Sequence, residues 1–213
     1  YYYNPISEIT NLRIIAYPTA DLLMQNMSSY NASPRVTDKI ADAFRENDRF
    51  KLLSYELPQY TAVFFNLDKD PIKDNKKLRF ALQKAIDKDV LVGEKGFIKD
   101  KVRVDTPMME LDQSSWVYQS SKTEVEAALK NAGYTFSREK LEDYRYGKDL
   151  KPLKLNLISR LYDEGTPQYD ETKAVVGFLK DSWEAVGVGI EVEFLSQDDF
   201  KTRVMTRKYD LLL

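Results

Sequence analysis

The sequence predicts an α/β fold in which a mixed or parallel sheet is flanked by helices. From Lys154 to the end of the chain, strand patterns and helical patterns alternate. Alternation of this kind is typical of parallel strands joined by right-handed crossovers. The 213 residues are 43% hydrophobic with only 8 Gly and 8 Pro, which is enough for one sizeable core. We therefore expect a single α/β domain over residues 1–213.

The part of the chain before residue 68 contains both strand and helix signals. Ser33 before Pro34 is a good helix start, and the apolar residues that follow recur at helical spacing. The predicted strands are 11–17, 50–57 and 61–67, and the predicted helical segments are 21–27 and the helix that Ser33 opens.

A further helix is predicted in the stretch "LRFALQKAIDKD", with Asp74 as its cap and Pro71 before it. Its apolar stripe, which should pack on a sheet face, consists of Leu78, Ala81, Leu82, Ala85 and Ile86. Arg79 falls on the boundary of this stripe, where its stem can cover apolar surface while its guanidinium meets a carboxylate or backbone carbonyls. We expect Arg79 to fix the helix to a neighbouring loop, and contact with a ligand is the alternative.

The clearest local signal is "SKTEVEAALKNAGY", in which Ser121 and Glu124 form a capping box and Gly133 closes the helix. Residues 93–121 before it are predicted to be an irregular connection that covers the core or lines a functional cleft. Residues 137–151 are charged and short of aliphatic side chains, so we expect a surface excursion there.

The C-terminal part is predicted to contain three strands and two helices. The strands are 153–159, 189–194 and 209–213, and the helices are 171–186, ended by Gly187, and a short helix capped by Ser196. The inward face of the longer helix consists of Val175, Val176, Leu179, Trp183 and Val186.

Charge and composition exclude several classes of function. Lys plus Arg (32) nearly balance Asp plus Glu (34), for a formal net charge of -2, which disfavours a nucleic-acid partner. Zinc fingers, Cys–His nucleophiles and His relays are excluded within this chain because it has no His and no Cys. The sequence has no run of about 18 apolar residues that would predict a membrane span. Since it begins at Tyr1 and ends in the strand pattern "YDLLL", we expect it to belong to a larger protein.

The stretch "FFNLDKDPIKDNKKLRFALQKAID" resembles the signature of the family 5 extracellular solute-binding proteins, the receptors of oligopeptide and dipeptide ABC importers. The matching positions are Asn66, Pro71, Asp74, Arg79, Ala81, Leu82, Ala85, Ile86 and Asp87. The stretches "EVEAALKNAGY", "LKDSWEAVGVGIEVEF" and "DDFKTRVMTRKYDLLL" resemble later blocks of the family in the same order. The resemblance covers nearly all of 50–213 and is weaker over 1–49, where Asn31 stands in place of the family's usual Asp.

This resemblance implies a periplasmic-binding-protein-like fold of type II, in which two lobes close around a solute and no bond is broken. The chain is expected to form most of one lobe, on the C-terminal side of a larger receptor. The implied partners are an oligopeptide or similar small solute and the permease of an ABC importer, with no nucleic acid and with a membrane only through a lipid anchor on the whole receptor. The implied location is the extracellular face of the cell envelope or the periplasm.

Five residues are predicted to contact the ligand, and no catalytic residue, cofactor or metal site is implied. Ligands of open α/β sheets bind beyond the carboxyl ends of the strands, which places Ser159, Arg160 and Tyr162 at the cleft. By the resemblance, Arg207 corresponds to an Arg that meets ligand in some peptide-binding members, and Phe200 corresponds to an aromatic wall residue. An Arg fork suits a peptide carboxylate, and aromatic rings cover side chains without close selection. For each residue the alternative is an ordinary loop, core or solvated position.

Peptide is favoured among the family's ligands because, without His, capture of a metal chelate or haem would depend on the other lobe. A carboxylate-dependent α/β enzyme using Asp198 and Asp199 is one alternative function. Adjacent residues at a helix start point in different directions, which favours capping over catalysis. The sequence also lacks the glycine-rich nucleotide motifs and the G-x-S-x-G motif. A receptor-fold interaction domain without ligand is the remaining alternative.

Overall fold

The computed structural model describes residues 9–34, 36, 38–53, 59–92, 96, 98, 101–106, 121–137 and 143–213. The chain divides into two compact units, Tyr1–Leu57 and Pro58–Leu213. The expectation of one domain over residues 1–213 stays a prediction. Most of the predicted connection 93–121 and the end of the predicted strand 50–57 lie outside the described residues.

The described elements are seven helices and six strands, besides a short 3-10 turn at Met27–Ser29. The helices are α1 Ala20–Gln25, α2 Asp38–Arg45, α3 Lys76–Lys84, α4 Lys88–Leu91, α5 Lys122–Asn131, α6 Pro167–Glu184 and α7 Gln197–Met205. The strands are β1 Phe64–Phe65, β2 Thr135–Phe136, β3 Arg145–Tyr146, β4 Lys154–Arg160, β5 Gly189–Leu195 and β6 Leu211–Leu212. Among the described residues, none of the helices has the length and apolar character needed to cross a bilayer.

The first unit is built around a small aromatic cluster. The ring of Tyr30 lies 5.8 Å from that of Phe50 and 6.3 Å from that of Phe44, measured between centroids. Phe44 and Phe50 meet edge to face at 4.6 Å, a favoured geometry for aromatic pairs. The cluster joins the helical part of this unit to the segment that follows α2.

Three predictions fail among the described residues of the first unit. One is the strand 50–57, because its described residues 50–53 form no strand. Residues 11–17 are not a strand: no described strand pairs with them, and Leu12 and Ile14 are 80% and 85% exposed. A strand requires a neighbour for its backbone hydrogen bonds, and this segment has none among the described residues. The second helix begins at Asp38 and not beside Ser33.

The second unit contains a mixed sheet in the order β1-β6-β4-β5. Strands β4 and β5 are parallel, with Lys154 opposite Gly189 and Arg160 opposite Leu195. Strand β6 is parallel to β4 and antiparallel to β1. The predicted α/β architecture with a mixed sheet flanked by helices is confirmed.

Helix α6 covers one face of this sheet and supplies much of the core. All five residues of its predicted inward face are buried. Trp183 is 1% exposed, and its Nε1–H donates to the carbonyl of Leu82 at 2.9 Å, so α6 is tied directly to α3. Gly187 ends this region with φ +85°, a conformation that favours glycine.

The N-cap of helix α3 lies one residue after the predicted one, and the helix begins at Lys76. Asn75, not Asp74, is the N-cap, and its side chain accepts a hydrogen bond from the backbone N–H of Leu78 at 3.0 Å. Asp74 has φ +55°, so it belongs to the turn before the helix. Arg79 donates from Nη1 to the carbonyl of Ile72 at 2.9 Å, which confirms that it fixes the helix to the preceding loop.

Helix α5 shows the predicted capping box. The Ser121 hydroxyl accepts from the backbone N–H of Glu124, and the Glu124 carboxylate accepts from the backbone N–H of Ser121 at 2.8 Å. The hydrogen bonds that the Glu124 carboxylate accepts from the backbone N–H and from the hydroxyl of Ser121 lower the pKa of Glu124. Gly133 follows the helix with φ +98°, as the closing position requires.

The predicted surface excursion 137–151 is only partly exposed. Arg145 and Tyr146 form β3 and are both buried, and β3 pairs with β2. The backbone N–H of Arg145 also donates to the carbonyl of Gly187 at 2.8 Å. A charged run therefore contains a strand that packs at the end of α6, because aromatic rings and the Arg stem provide apolar area that a count of aliphatic residues misses.

Candidate functional site

The crossovers of the second unit define two distinct edges of its sheet. Because β4, β5 and β6 are parallel, α6 and α7 both start at the edge where strands end and finish at the edge where strands begin. We call these the C-terminal edge and the N-terminal edge. Helix α7 has 9 residues, so its ends are separated by about 13 Å along its axis.

Arg160 is the central charged residue of the C-terminal edge. It is the last residue of β4, and its guanidinium carbon lies 4.9 Å from the centroid of the Tyr162 ring. Its Nη2 donates to Oε1 of Gln197 at 3.0 Å. Gln197 is the first residue of α7, whose N-cap Ser196 accepts from the backbone N–H of Asp199. The two strand ends are joined below this group by the backbone hydrogen bond from Leu161 to Leu195 at 2.7 Å.

The charge of Arg160 is not compensated by a carboxylate. In the part of the chain that the structure describes, Arg160 takes part in no ion pair, and its buried Nε–H has no acceptor. A guanidinium carries five N–H donors, and an aromatic face and one amide oxygen use few of them. Arg160 therefore keeps both charge and donors for an anionic group at the strand ends.

The opposite face of the C-terminal edge carries a second cation and two rings. Ser159 and Phe194 are paired in register on this face, and Ser159 is only 2% exposed. Nζ of Lys173 lies 3.8 Å from the centroid of the Phe194 ring and 5.5 Å from that of Tyr169. Each face of this edge thus combines a cation with an aromatic ring, an attractive arrangement when partly desolvated.

Arg207 lies at the N-terminal edge, after the end of α7. It has φ +53°, and its guanidinium is ion-paired with Asp68, with both side chains largely exposed. Asn66 is buried and holds this loop, because its Nδ2 donates to the carbonyls of Arg207 at 3.0 Å and Tyr209 at 2.8 Å. The charge of Arg207 is therefore compensated within the chain.

Asp210 is a buried acid of the N-terminal edge. Its Oδ2 accepts from the backbone N–H of Asn156 at 2.7 Å, and its Oδ1 lies 2.8 Å from Nζ of Lys69. The side chain of Asn156 in turn donates to Glu193 at 2.6 Å, and Glu193 pairs with Arg203 of α7 at 2.6 Å. This network holds β6 and α7 against β4 and β5.

Of the five predicted site residues, the structure brings four to one edge. Ser159, Arg160, Tyr162 and the partly buried Phe200 lie at the C-terminal edge, on its two faces, whereas Arg207 lies at the other edge. Their contact with a ligand stays a prediction. Sequence reasoning missed Gln197, although its place directly after a strand marks it as an edge residue. It also missed the group of Lys173 and Phe194, which shows no local motif.

Solved structures with the same fold include binding proteins that hold a solute. NikZ from Campylobacter jejuni, solved with Ni(L-His), has 22% sequence identity and a TM-score of 0.63, and the match covers 82% of this chain and 33% of that chain. The periplasmic oligopeptide-binding protein of Thermotoga maritima, solved with mannohexaose, has 14% identity and a TM-score of 0.57, covering 70% and 28%. AppA from Bacillus subtilis, solved with a nonapeptide, has 14% identity and a TM-score of 0.53, covering 70% and 29%. The fold is therefore that of part of a periplasmic binding protein.

The family model for bacterial extracellular solute-binding proteins, family 5 Middle, matches residues 2–213. This chain belongs to the family 5 bacterial extracellular solute-binding proteins, as its motifs predicted. It spans about a third of the length of the solved structures that it matches. No curated protein sequence matches it closely enough to count as a relative.

Proposed function

We propose that this chain forms most of the C-terminal-side lobe of a two-lobed receptor that captures peptides for an ABC importer. The observation that carries the proposal is the match of the family model to nearly the whole chain. The carboxyl ends of the parallel β4–β5 pair support it, because open α/β sheets bind ligands there. The solved structure of AppA with a nonapeptide supports peptide as the solute, and the solved structures of NikZ with Ni(L-His) and of NikA with Fe(III)-EDTA define the competing class.

The proposed contacts of the lobe with its ligand are Ser159, Arg160, Tyr162, Phe200 and Arg207. Arg160 offers uncompensated charge to a carboxylate, and Tyr162 offers a ring for a neighbouring side chain. Arg207 would have to exchange Asp68 for the ligand, which an exposed ion pair permits at small cost. In this mechanism the lobes close on the solute and break no bond.

The contacts of Asp198 and Asp199 support binding over catalysis. The backbone N–H of Asp199 donates to the Ser196 hydroxyl, and this hydroxyl lies 2.7 Å from Oδ2 of Asp199. Asp198 sits in the same first turn, where an acid stabilises the helix N-terminus. Capping therefore accounts for this pair without a reaction.

The experiment is a thermal-shift screen of the complete receptor that carries this chain, with peptide mixtures of different length and with Ni(L-His) as separate arms. A receptor gains stability from its ligand, so we expect a rise in Tm with peptides. A shift with the nickel chelate alone would make the chelate the solute. Turnover of peptides with no shift would make the protein an enzyme. The isolated chain is expected to fold but to bind peptides weakly, and micromolar binding by the chain alone would contradict its role as one lobe.

We also propose that the receptor works on the extracellular face of the envelope or in the periplasm, with any membrane attachment through a lipid anchor. Fractionation of cells that produce the tagged receptor checks this location. Recovery in the cytoplasmic fraction would contradict it.

A further inference from the structure

Leu150 lies in the turn between β3 and β4, at a position where a leucine is unfavourable. The backbone N–H of Gly147 donates to the carbonyl of Lys151 at 3.0 Å, and that of Leu150 donates to the carbonyl of Gly147 at 3.1 Å. Residues 148–150 therefore form a three-residue hairpin loop. The last residue of such a loop takes a left-handed backbone, which suits glycine. Leu150 adopts this backbone with φ +59°, so the turn is strained at a residue that carries a branched side chain.

The side chain of Leu150 gains little burial that could offset this strain. It is 68% exposed, so it removes little apolar surface from water against the described residues. The other non-glycine residues of the described chain with positive φ, Asp74 and Arg207, are polar, and Asn66 donates to the carbonyl of Arg207. A strained backbone that carries an exposed apolar side chain indicates a contact outside the chain.

The turn and the start of β4 carry a local positive charge. The stretch 147–154 contains three lysines and one aspartate, all exposed, whereas the whole chain has a formal net charge of -2. Lys151 lies 3.5 Å from Asp149, but both side chains are more than half exposed, so this ion pair is weak. Nζ of Lys154 lies 4.6 Å from the centroid of the Tyr144 ring. The apolar tip of the turn is thus flanked by cations.

The position and the size of this tip favour a lipid surface over a protein partner. The turn precedes β4, so it lies at the N-terminal edge and away from the proposed ligand contacts at the C-terminal edge. A specific protein interface buries about 800 Å² per partner, whereas the apolar group of this turn is one leucine side chain. A bilayer requires no complementary shape, because its interfacial region accepts an apolar side chain and its anionic headgroups attract lysines.

We propose that Leu150 is a membrane contact, which enters the headgroup region of an anionic bilayer while the lysines of the turn bind lipid phosphates. This contact goes beyond solute capture and does not require it. It is weak and reversible, since one leucine and three lysines bind a bilayer less strongly than a pair of lipid chains does. It leaves the C-terminal edge of the sheet free for the solute.

Co-sedimentation of the 213-residue chain with vesicles tests this contact. One set of vesicles consists of phosphatidylcholine alone, and the other is an equimolar mixture of phosphatidylcholine and phosphatidylglycerol. We expect about tenfold tighter binding to the anionic vesicles, because the local positive charge adds electrostatic attraction to the burial of the leucine. Equal binding to both vesicles, or binding to neither, would overturn the proposal.

The decisive variant is Leu150→Asn, because asparagine adopts the left-handed backbone more easily than leucine does. We expect its Tm to rise by about 2 °C and its affinity for anionic vesicles to fall about tenfold. A variant that is more stable and binds less cannot owe the loss of binding to unfolding. Leu12→Asn in the first unit is the matched control, since Leu12 is 80% exposed, and it should keep the binding. Unchanged binding in Leu150→Asn, or an equal loss in the control, would overturn the proposal.

A charge variant tests the lysines of the turn. Lys148→Glu combined with Lys151→Glu should abolish the preference for anionic vesicles. Lys76→Glu combined with Lys77→Glu, at the exposed start of α3, makes the same change of charge and should keep the preference. An equal loss in both double variants would assign the binding to overall charge and overturn the proposal.

Membranes from cells that produce the receptor distinguish lipid from a protein partner. Binding of the chain should survive proteolysis of these membranes before the chain is added. Binding that proteolysis abolishes would assign Leu150 to a protein partner and overturn the lipid contact. Peptide affinity of the complete receptor should be the same with Leu150→Asn as without it, so failure of the membrane contact leaves the proposed function standing.

Discussion

The two edges of the sheet in the second unit use polar residues in opposite ways. At the N-terminal edge, Asn66, Asp210 and Arg207 are bound by partners from other parts of the chain. At the C-terminal edge, the groups that hold Arg160 among the described residues are an aromatic face and an amide oxygen. Removing one member of a buried pair leaves its partner unsatisfied and destabilises the fold, whereas an unpaired charge has no such partner to lose and remains available to a ligand. Substitutions at the N-terminal edge should therefore lower stability, and those at the C-terminal edge should change binding.

The largest expected effect is at Asp210. Asp210→Ala leaves the backbone N–H of Asn156 without its acceptor and removes the partner of Lys69, so we expect a loss of about 3 kcal/mol in the free energy of unfolding. Urea denaturation of the chain measures it. The exposed Asp143→Ala is the control and should stay within about 0.5 kcal/mol. Equal effects at both positions would remove the basis for treating this edge as structural.

The second-largest expected loss of stability is at Arg145. Its Nε donates to Val186 at 2.7 Å, and its guanidinium lies 4.3 Å from the Phe136 ring. Burial lowers the pKa of Arg145, and the charge of Glu126 opposes this shift in part. Arg145→Met keeps the apolar stem but frees the Val186 carbonyl, so we expect about 2 kcal/mol of destabilisation. The same change at the exposed Arg13 is the control, and a neutral result at Arg145 would contradict the prediction.

A substitution at Arg79 tests whether this arginine stabilises the fold, by fixing α3 to the preceding loop, or contacts the ligand. Arg79→Ala removes one hydrogen bond to Ile72 and some packing of the stem, for which we expect about 1 kcal/mol. Peptide affinity of the complete receptor should change less than stability does. The reverse order, with affinity more affected than stability, would assign Arg79 to the site.

The smallest expected effect belongs to the ion pair of Arg207 and Asp68. Both side chains are more than half exposed, so a double-mutant cycle with Arg207→Ala and Asp68→Ala should give a coupling of about 0.5 kcal/mol or less in stability. A larger coupling would place this pair with the structural groups. A loss of peptide binding in Arg207→Ala alone would support its proposed contact with ligand despite its place at the other edge.

Local sequence signals predicted the well-packed part of the second unit because they depend on neighbouring residues. The capping box of Ser121 and Glu124, the cap Ser196 and the inward face of α6 all follow from spacing within one helix. The boundary role of Arg79 was also predictable, since a helical wheel places it beside the apolar stripe. The family motifs extended this local evidence to the whole fold.

Features that depend on distant contacts could not be predicted in the same way. The segment 11–17 has the composition of a strand, but pairing is a property of two segments. Asp74 is as good a cap as Asn75 by residue type, and only the left-handed backbone at Asp74 separates them. Burial of Arg145 depends on the end of α6, and the contact of Gln197 with Arg160 joins residues 37 positions apart.

The order of the strands also bears on how the second unit folds as it is synthesised. Strand β6 comes last in the chain, yet it lies between β4 and β1, and Phe64 pairs with Leu212. Until Leu211 and Leu212 leave the ribosome, β1 lacks the one strand that pairs with it among the described residues, and β4 lacks its partner on that side. Pairing over such a sequence distance slows folding, so the nascent unit is expected to remain incomplete, and exposed to chaperones, until its final residues emerge.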